Sequence, residues 1–252
     1  MAKRPTVTAR PPRLRRWLNR LAGLAVTALV AFALVAWLAA RWTPDRARFP
    51  IQGVRIDEDN GVIGWGGLVA SGVDFAYLEA TDGAGRRSPD FAANLSGARN
   101  EAMRVGAVHR FSLCALAEDQ AANFIRVVPR FADALPAAVR LDFADDCPVR
   151  PARALVLREL STFLSQVEAH SGKKSIIMPT VAFENEYRVS GAIDRTIGLK
   201  RNFFPPDYAA HPWVMWEAND FVRIPGASGT VHWIVVAPSD PAMQKAAGMG
   251  SN

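Results

Sequence analysis

From Ile51 onward the chain alternates short apolar runs with longer stretches of helical period. Gly53–Asp57, Phe75–Ala80, Val105–Phe111, Ala138–Phe143 and Ser175–Thr180 read as strands. Trp65–Ser71, Asp90–Arg104, Glu118–Val127 and Pro151–Ser171 read as helices between them. The last is the clearest: Leu155, Leu157, Leu160, Phe163, Leu164 and Val167 recur at helical spacing, and Gly172 comes next as a stop signal. Repeated β-α units at this spacing predict a parallel sheet, open or closed into a barrel. Beyond Thr180 the rhythm changes. Prolines and aromatics dominate, and the later strands Trp213–Glu217 and Thr230–Val236 have no long helix between them. A barrel whose last third has lost its helices has this pattern. The glycines at 64, 66 and 67 and at 83 and 85 follow no dinucleotide-binding fingerprint.

Ahead of this region lies an uncharged apolar run, Leu21–Ala40, long enough at about 1.5 Å per residue to span a hydrocarbon core of about 30 Å. Seven basic residues from Lys3 to Arg20 precede it, and Trp17, Trp37 and Trp42 stand near its ends. That bias orients the N-terminus to the cytoplasm and exports the remainder of the chain. A cleaved signal peptide has a shorter apolar core and a small-x-small cleavage site. The distal end here, Trp37 to Arg41, lacks that pattern, so an uncleaved signal anchor in the inner membrane is expected. The organisation is a basic cytoplasmic tail (1–20), an anchor (21–40), a linker (41–50), a barrel domain in the periplasm or outside (51–238) and a flexible tail (239–252).

Charge sharpens this division. The chain of 252 residues carries a net charge of +6 and has a pI near 9.8, which invites a polyanion-binding reading. Up to Arg48, however, there are ten basic residues and one acid, while the remainder is mildly acidic at −3. The basicity belongs to the tail and the flanks of the anchor, so no nucleic-acid partner is expected. Two cysteines, Cys114 and Cys147, suit an oxidising compartment and are a candidate disulfide, the alternative being two buried thiols. The four histidines are scattered and no Cys/His cluster has ligand spacing, so neither a metal nor a cofactor is expected.

The chain resembles the family 25 glycoside hydrolases, lysozymes (N-acetylmuramidases) that cleave peptidoglycan after N-acetylmuramic acid. The matching runs, in family order, are Phe49–Trp65, Gly72–Gly83, Phe91–Cys114, Gln120–Pro129, Leu135–Phe143 and Trp213–Trp233. The resemblance implies an irregular TIM-like α/β barrel, five β/α units followed by helix-poor strands, here behind a single N-terminal transmembrane helix. It also implies peptidoglycan, or another cell-envelope glycan, as partner.

The positions the family uses for chemistry depart from its pattern. Its first strand reads Gly-Val-Asp with a catalytic aspartate third, and that position is Arg55. Its fourth strand ends in Asp-x-Glu, with the glutamate as general acid, and those positions are Arg140 and Asp142. Its usual lysine and glutamate around Ala-Thr are Glu79 and Asp82, its glutamine is Glu217, and its late Val-Asp is Val231-His232. Glycoside hydrolysis needs one protonated carboxyl and one base, nucleophile or stabiliser. Arginine remains protonated and cannot replace a carboxylate. Two readings are open: a peptidoglycan-associated domain with impaired catalysis, or an active muramidase with a rewired acid pair, Asp142 and Asp57. Arg55 and Arg140 are expected to form salt bridges with Asp57, Asp142, Glu79 or Asp82. Glu79, Asp82, His109, Trp213, Glu217 and His232 are ligand-binding candidates, with core roles as the alternative for His109 and the tryptophans.

Overall fold

The computed structural model describes residues 13–60 and 63–238. The expected tail at 239–252 and residues 1–12 of the basic tail lie outside them. The chain divides into two compact units, Met1–Ala40 and Arg41–Asn252. In the first, helix α1 (Arg13–Ala39) begins well before the apolar run and takes in its basic flank. Arg15–Ala39 is long and apolar enough to cross a membrane, a property a signal sequence shares.

The second unit is a barrel. Its strands are β1 (Gln52–Ile56), β2 (Phe75–Asp82), β3 (Arg86–Arg87), β4 (Arg104–Phe111), β5 (Ala138–Leu141), β6 (Ile176–Pro179), β7 (Thr196–Lys200), β8 (Met215–Val222) and β9 (Val231–Val236). Pairing runs β1-β9-β8-β7-β6-β5-β4-β2, and β1 also pairs with β2, which closes the ring at eight strands; β3 is a short hairpin appended to β2. Neighbours from β1 through β8 are parallel, whereas β9 runs antiparallel to both β8 and β1. The helices are α2 (Trp65–Ala70), α3 (Phe91–Asn100), α4 (Ala117–Val127), α5 (Arg153–Ser171) and a short α6 (Val181–Tyr187).

Strand alternation sorts side chains into two layers. One row fills the barrel: Phe75 and Tyr77 of β2, Val108 of β4, Ala138 of β5, Ile176 and Met178 of β6, Met215 of β8, and Ile234 and Val236 of β9. The other row packs with the helices, for example Val54, Leu78, Val139 and Val235 against Phe124, Leu160, Phe163 and Leu164. Glycines at inward positions make room for the large side chains. A Cβ at Gly106 would lie 2.2 Å from the Tyr77 ring, and one at Gly53 would lie 2.5 Å from the Phe75 carbonyl oxygen.

Three expectations need adjusting. The helix expected through Arg104 stops at Asn100, because the chain turns back at Ala102 (φ 54°) and Arg104 opens β4. In α5, Val156 rather than Leu155 enters the core, and the helix ends at Gly172 in the left-handed conformation (φ 73°). Strand β7 and helix α6 lie in the proline- and aromatic-rich region where no element was expected.

Candidate active site

At the carboxyl ends of the parallel strands, the inward row changes from apolar to charged. Arg55 stands at this level on β1, Glu79 on β2, Arg110 on β4, Arg140 on β5 and Lys200 on β7. Asp142 comes directly after β5. Glu217 of β8 and His232 of β9 complete the ring, the latter near the start of its strand because β9 runs the opposite way. Two bulges enrich the ring further. Register shifts between Glu79 and Thr81 in β2, and between Glu217 and Asn219 in β8. An extra residue in a strand re-aims the side chains beyond it. Thus Glu79 and Asp82, and likewise Glu217 and Asp220, all reach the mouth.

Opposite charges meet in an almost unbroken sequence around this ring. Lys200 Nζ lies 2.9 Å from Asp220, which accepts at 2.7 Å from His232 Nδ1. The other ring nitrogen of His232 is 3.0 Å from Asp57. Asp57 accepts at 2.6 Å from Arg55, whose Nε donates to Glu217 at 2.5 Å; Glu79 lies 3.4 Å from the same guanidinium. Glu79 also accepts from Arg140 at 2.6 Å. Asp142 takes Arg140 on Oδ2 at 3.1 Å and Arg110 on Oδ1 at 3.0 Å. The side chains of Arg55 and Glu217 are only 2% exposed, so their pairing is interior.

Burial decides how these groups ionise. It opposes charge on Asp57, but the hydrogen bond from His232 and the Arg55 guanidinium overcome it and hold Asp57 well below the usual carboxylate range. Glu217 behaves alike: burial pushes it up, and Arg55, His232 and Lys200 bring it down to about 2. Asp220 is likewise lowered against its burial by His232 and Lys200. Burial disfavours the His232 cation, yet its bonds to Asp220 and Asp57 win and raise it. For Asp82 the balance reverses. Desolvation raises it, and Arg110 and Arg86, each 3.9 Å away, do not compensate.

The structure thus brings together Asp57, Asp142, Arg55, Arg140, Glu79, Asp82, Glu217 and His232. It does not bring His109 or Trp213 there. His109 alternates with Arg110 on β4 and faces the helices: its ring stacks on Phe163 at 4.5 Å and contacts Thr81 and Gln120 through its two nitrogens. Burial lowers it to about 4. Trp213 packs on Phe49 and donates to the Pro206 carbonyl, while Trp216 and Trp233 are buried in the outer layer. Cys114 and Cys147 form a disulfide that joins the loops after β4 and β5. Sequence reasoning missed Lys200, Asp220 and the pairing role of Arg110. The usable signal was that Arg110 shares a strand face with Val108; the bulge before Asp220 leaves no such trace. Glu217, Asp220 and His232 are close enough to ligate a metal, but Arg55, Lys200 and Asp57 already occupy their bonding positions.

Comparison with known proteins agrees with this architecture. The model of the family described as Glycosyl hydrolases family 25 matches residues 55–224. A family 25 glycosyl hydrolase from Bacillus anthracis superposes with a TM-score of 0.73 at 27% identity, covering 82% of this chain and 96% of that one. A bacterial lysozyme from Streptomyces coelicolor gives 0.72 at 20% identity, over 79% and 98%. The protein YegX of Escherichia coli O157:H7 is 24% identical over 207 residues, 81% of this chain and 70% of its own length.

Proposed function

The chain belongs to glycosyl hydrolases family 25, and from that premise we propose that it is a membrane-anchored, exported lysozyme-like domain that engages peptidoglycan, or another cell-envelope glycan, without cutting it. The fold is that of a peptidoglycan-hydrolase-like domain. In this reading residues 1–20 are cytoplasmic, 21–40 are the inner-membrane anchor, 41–50 the linker, 51–238 the binding barrel and 239–252 a tail. Support for the anchor comes from the apolar α1 and from the concentration of basic residues before it.

One observation carries the loss of hydrolysis: Asp57, Glu79, Asp142, Glu217 and Asp220 are each spent on an arginine, Lys200 or His232, and of the mouth carboxylates Asp82 alone has its nearest arginines 3.9 Å away among the described residues. Hydrolysis requires one carboxyl to deliver a proton to the leaving oxygen while a second group stabilises or attacks the anomeric carbon. Asp57 and Glu217 are held ionised at neutral pH, so neither has a proton to give. Both oxygens of Asp142 already accept from arginines. A glycosidic oxygen must displace one of them to reach it. Arg55 and Arg140 add fixed positive charge beside the place where the oxocarbenium-like transition state would develop its own, which opposes that charge.

The test has two readouts on the full-length protein. Co-sedimentation with insoluble peptidoglycan is expected, with no release of soluble muropeptides. Release that disappears in Asp142→Ala would establish the rewired muramidase instead. Failure to sediment would remove the glycan partner.

A further inference from the structure

Beside the ion-pair chain, and sharing Glu79 and Arg110 with it, lies an open recess. Glu58, Glu79, Asp82, Arg86, Arg87 and Arg110 contribute its charged lining, with Thr81 and Ser88 between them. Its floor is the end of β2, and one wall is the short β2–β3 hairpin, which places Arg86 directly opposite Asp82.

Contacts here differ in kind from those of the inner mouth. There, most donors and acceptors meet at 2.5–3.1 Å. Across the recess Arg86 lies 3.8 Å from Glu58 and 3.9 Å from Asp82, and Arg110 Nη1 lies 3.9 Å from Asp82. These separations exceed hydrogen-bond length, so charge is balanced without direct bonds. Arg87 is steered by Nε to Asn123, and no carboxylate pairs with it among the described residues. Asp82 is partly buried with no donor within hydrogen-bond distance among the described residues, and desolvation raises it.

We propose that this recess binds an α-amino-carboxylate head, one carboxylate and one ammonium on the same carbon. Three arginines face three carboxylates, so the lining has no net charge. A simple anion would gain from Arg86 and Arg110 but meet Asp82, Glu79 and Glu58. A simple cation would meet the opposite conflict. A ligand carrying both charges satisfies both sets: its carboxylate lies on Arg86 and Arg110, whose guanidiniums offer unused N–H groups, and its ammonium lies on Asp82 and Glu58. Ammonium binding keeps Asp82 ionised. The inference goes beyond the glycan reading in the class of ligand it names; the recess shares Glu79 and Arg110 with the ion pairs around Asp57 and Asp142 and adds Glu58, Asp82, Arg86 and Arg87.

The same head occurs on free amino acids and at the end of tethered side chains. Titration of the full-length protein in detergent with alanine, propionate and ethylamine, followed by saturation-transfer NMR, tests the chemistry. Alanine is expected to bind at least tenfold more tightly than either single-charge probe. Arg86→Ala and the near-isosteric Asp82→Asn should each weaken alanine at least fivefold while leaving the circular dichroism spectrum unchanged. Propionate matching alanine, or alanine binding that survives both substitutions, would overturn the proposal. Nε-acetyl-lysine carries the head on a long acylated stem; its binding alongside alanine admits heads at the end of tethered side chains, and its exclusion confines the recess to small amino acids. Sedimentation with peptidoglycan reads the glycan proposal separately. A protein that binds alanine but does not sediment keeps the recess and loses the glycan, and the reverse result does the opposite.

Discussion

Replacing Arg55 by methionine keeps a long apolar stem and removes the one cation that Glu217 and Asp57 share. Glu217 would then be a buried carboxylate without its partner at 2.5 Å, and Asp57 would keep His232 and the Asp59 backbone N–H. Removing one member of a buried ion pair costs about 3–5 kcal/mol, mainly from the charge left behind. For a domain of this size, that lowers the melting temperature by about 6–20 °C. Glu217→Gln should cost less, about 1–3 kcal/mol, because Arg55 retains Asp57 and Glu79. In the double variant the stranded carboxylate is gone, so Arg55→Met/Glu217→Gln should be more stable than Arg55→Met alone by about 1–3 kcal/mol. Denaturant unfolding of the full-length protein in detergent, monitored by fluorescence of the buried Trp216 and Trp233, measures all four corners of the cycle. If Arg55→Met costs less than about 1 kcal/mol, or the two losses simply add, the reasoning about the mouth fails.

Stability should also depend on pH from two sides. Glu217, Asp57 and Asp220 have lowered values when folded, so their contribution is present above about pH 4 and is lost as pH falls toward 2 and below. His232 has a raised value, so its contribution is complete below its ordinary 6.5 and is lost as pH rises through the raised value. Buried His109, lowered to about 4, favours the unfolded state as pH falls below 6.5, so thermal unfolding across pH should peak near 6.5, and a His232→Gln variant should lose the decline on the alkaline side. Reducing the Cys114–Cys147 bond, which spans 33 residues, should cost roughly 3–4 kcal/mol, read as a lower denaturation midpoint in reductant. Gly106→Ala places a methyl against the Tyr77 ring and should lose about 1–3 kcal/mol, whereas Gly85→Ala, with open space around it, should change the midpoint little.

Apart from the exposed two-residue β3, the strands and helices up to Thr180 were legible because each buries a periodic apolar face, and periodicity survives in sequence. Strand β7 was not, since Thr196–Lys200 offers only Ile197 and Leu199 as a pattern, too short to stand out among prolines. Within the site, alternation made Arg55 with Asp57 and Arg140 with Asp142 visible as face-sharing pairs, and the structure joins each pair directly. The same rule, applied to β4, separates His109 from Arg110 and assigns His109 to the helix side. Asp220 escaped because a bulge breaks the alternation that would have pointed to it. Lys200 and His232 meet it only through pairing of distant strands, which local pattern does not encode.

In the proposed reading, a lysozyme-like barrel has exchanged its proton-donating carboxyl for ion pairs and retained a glycan-facing mouth. Incubating the full-length protein with purified peptidoglycan, and separating the bound fraction from the soluble products, measures both halves at once. Protein in the pellet, with no soluble muropeptides above the level of an Asp142→Ala control, is the expected outcome. Muropeptides released by the wild-type chain and absent with that control would show that the exchange has not abolished hydrolysis.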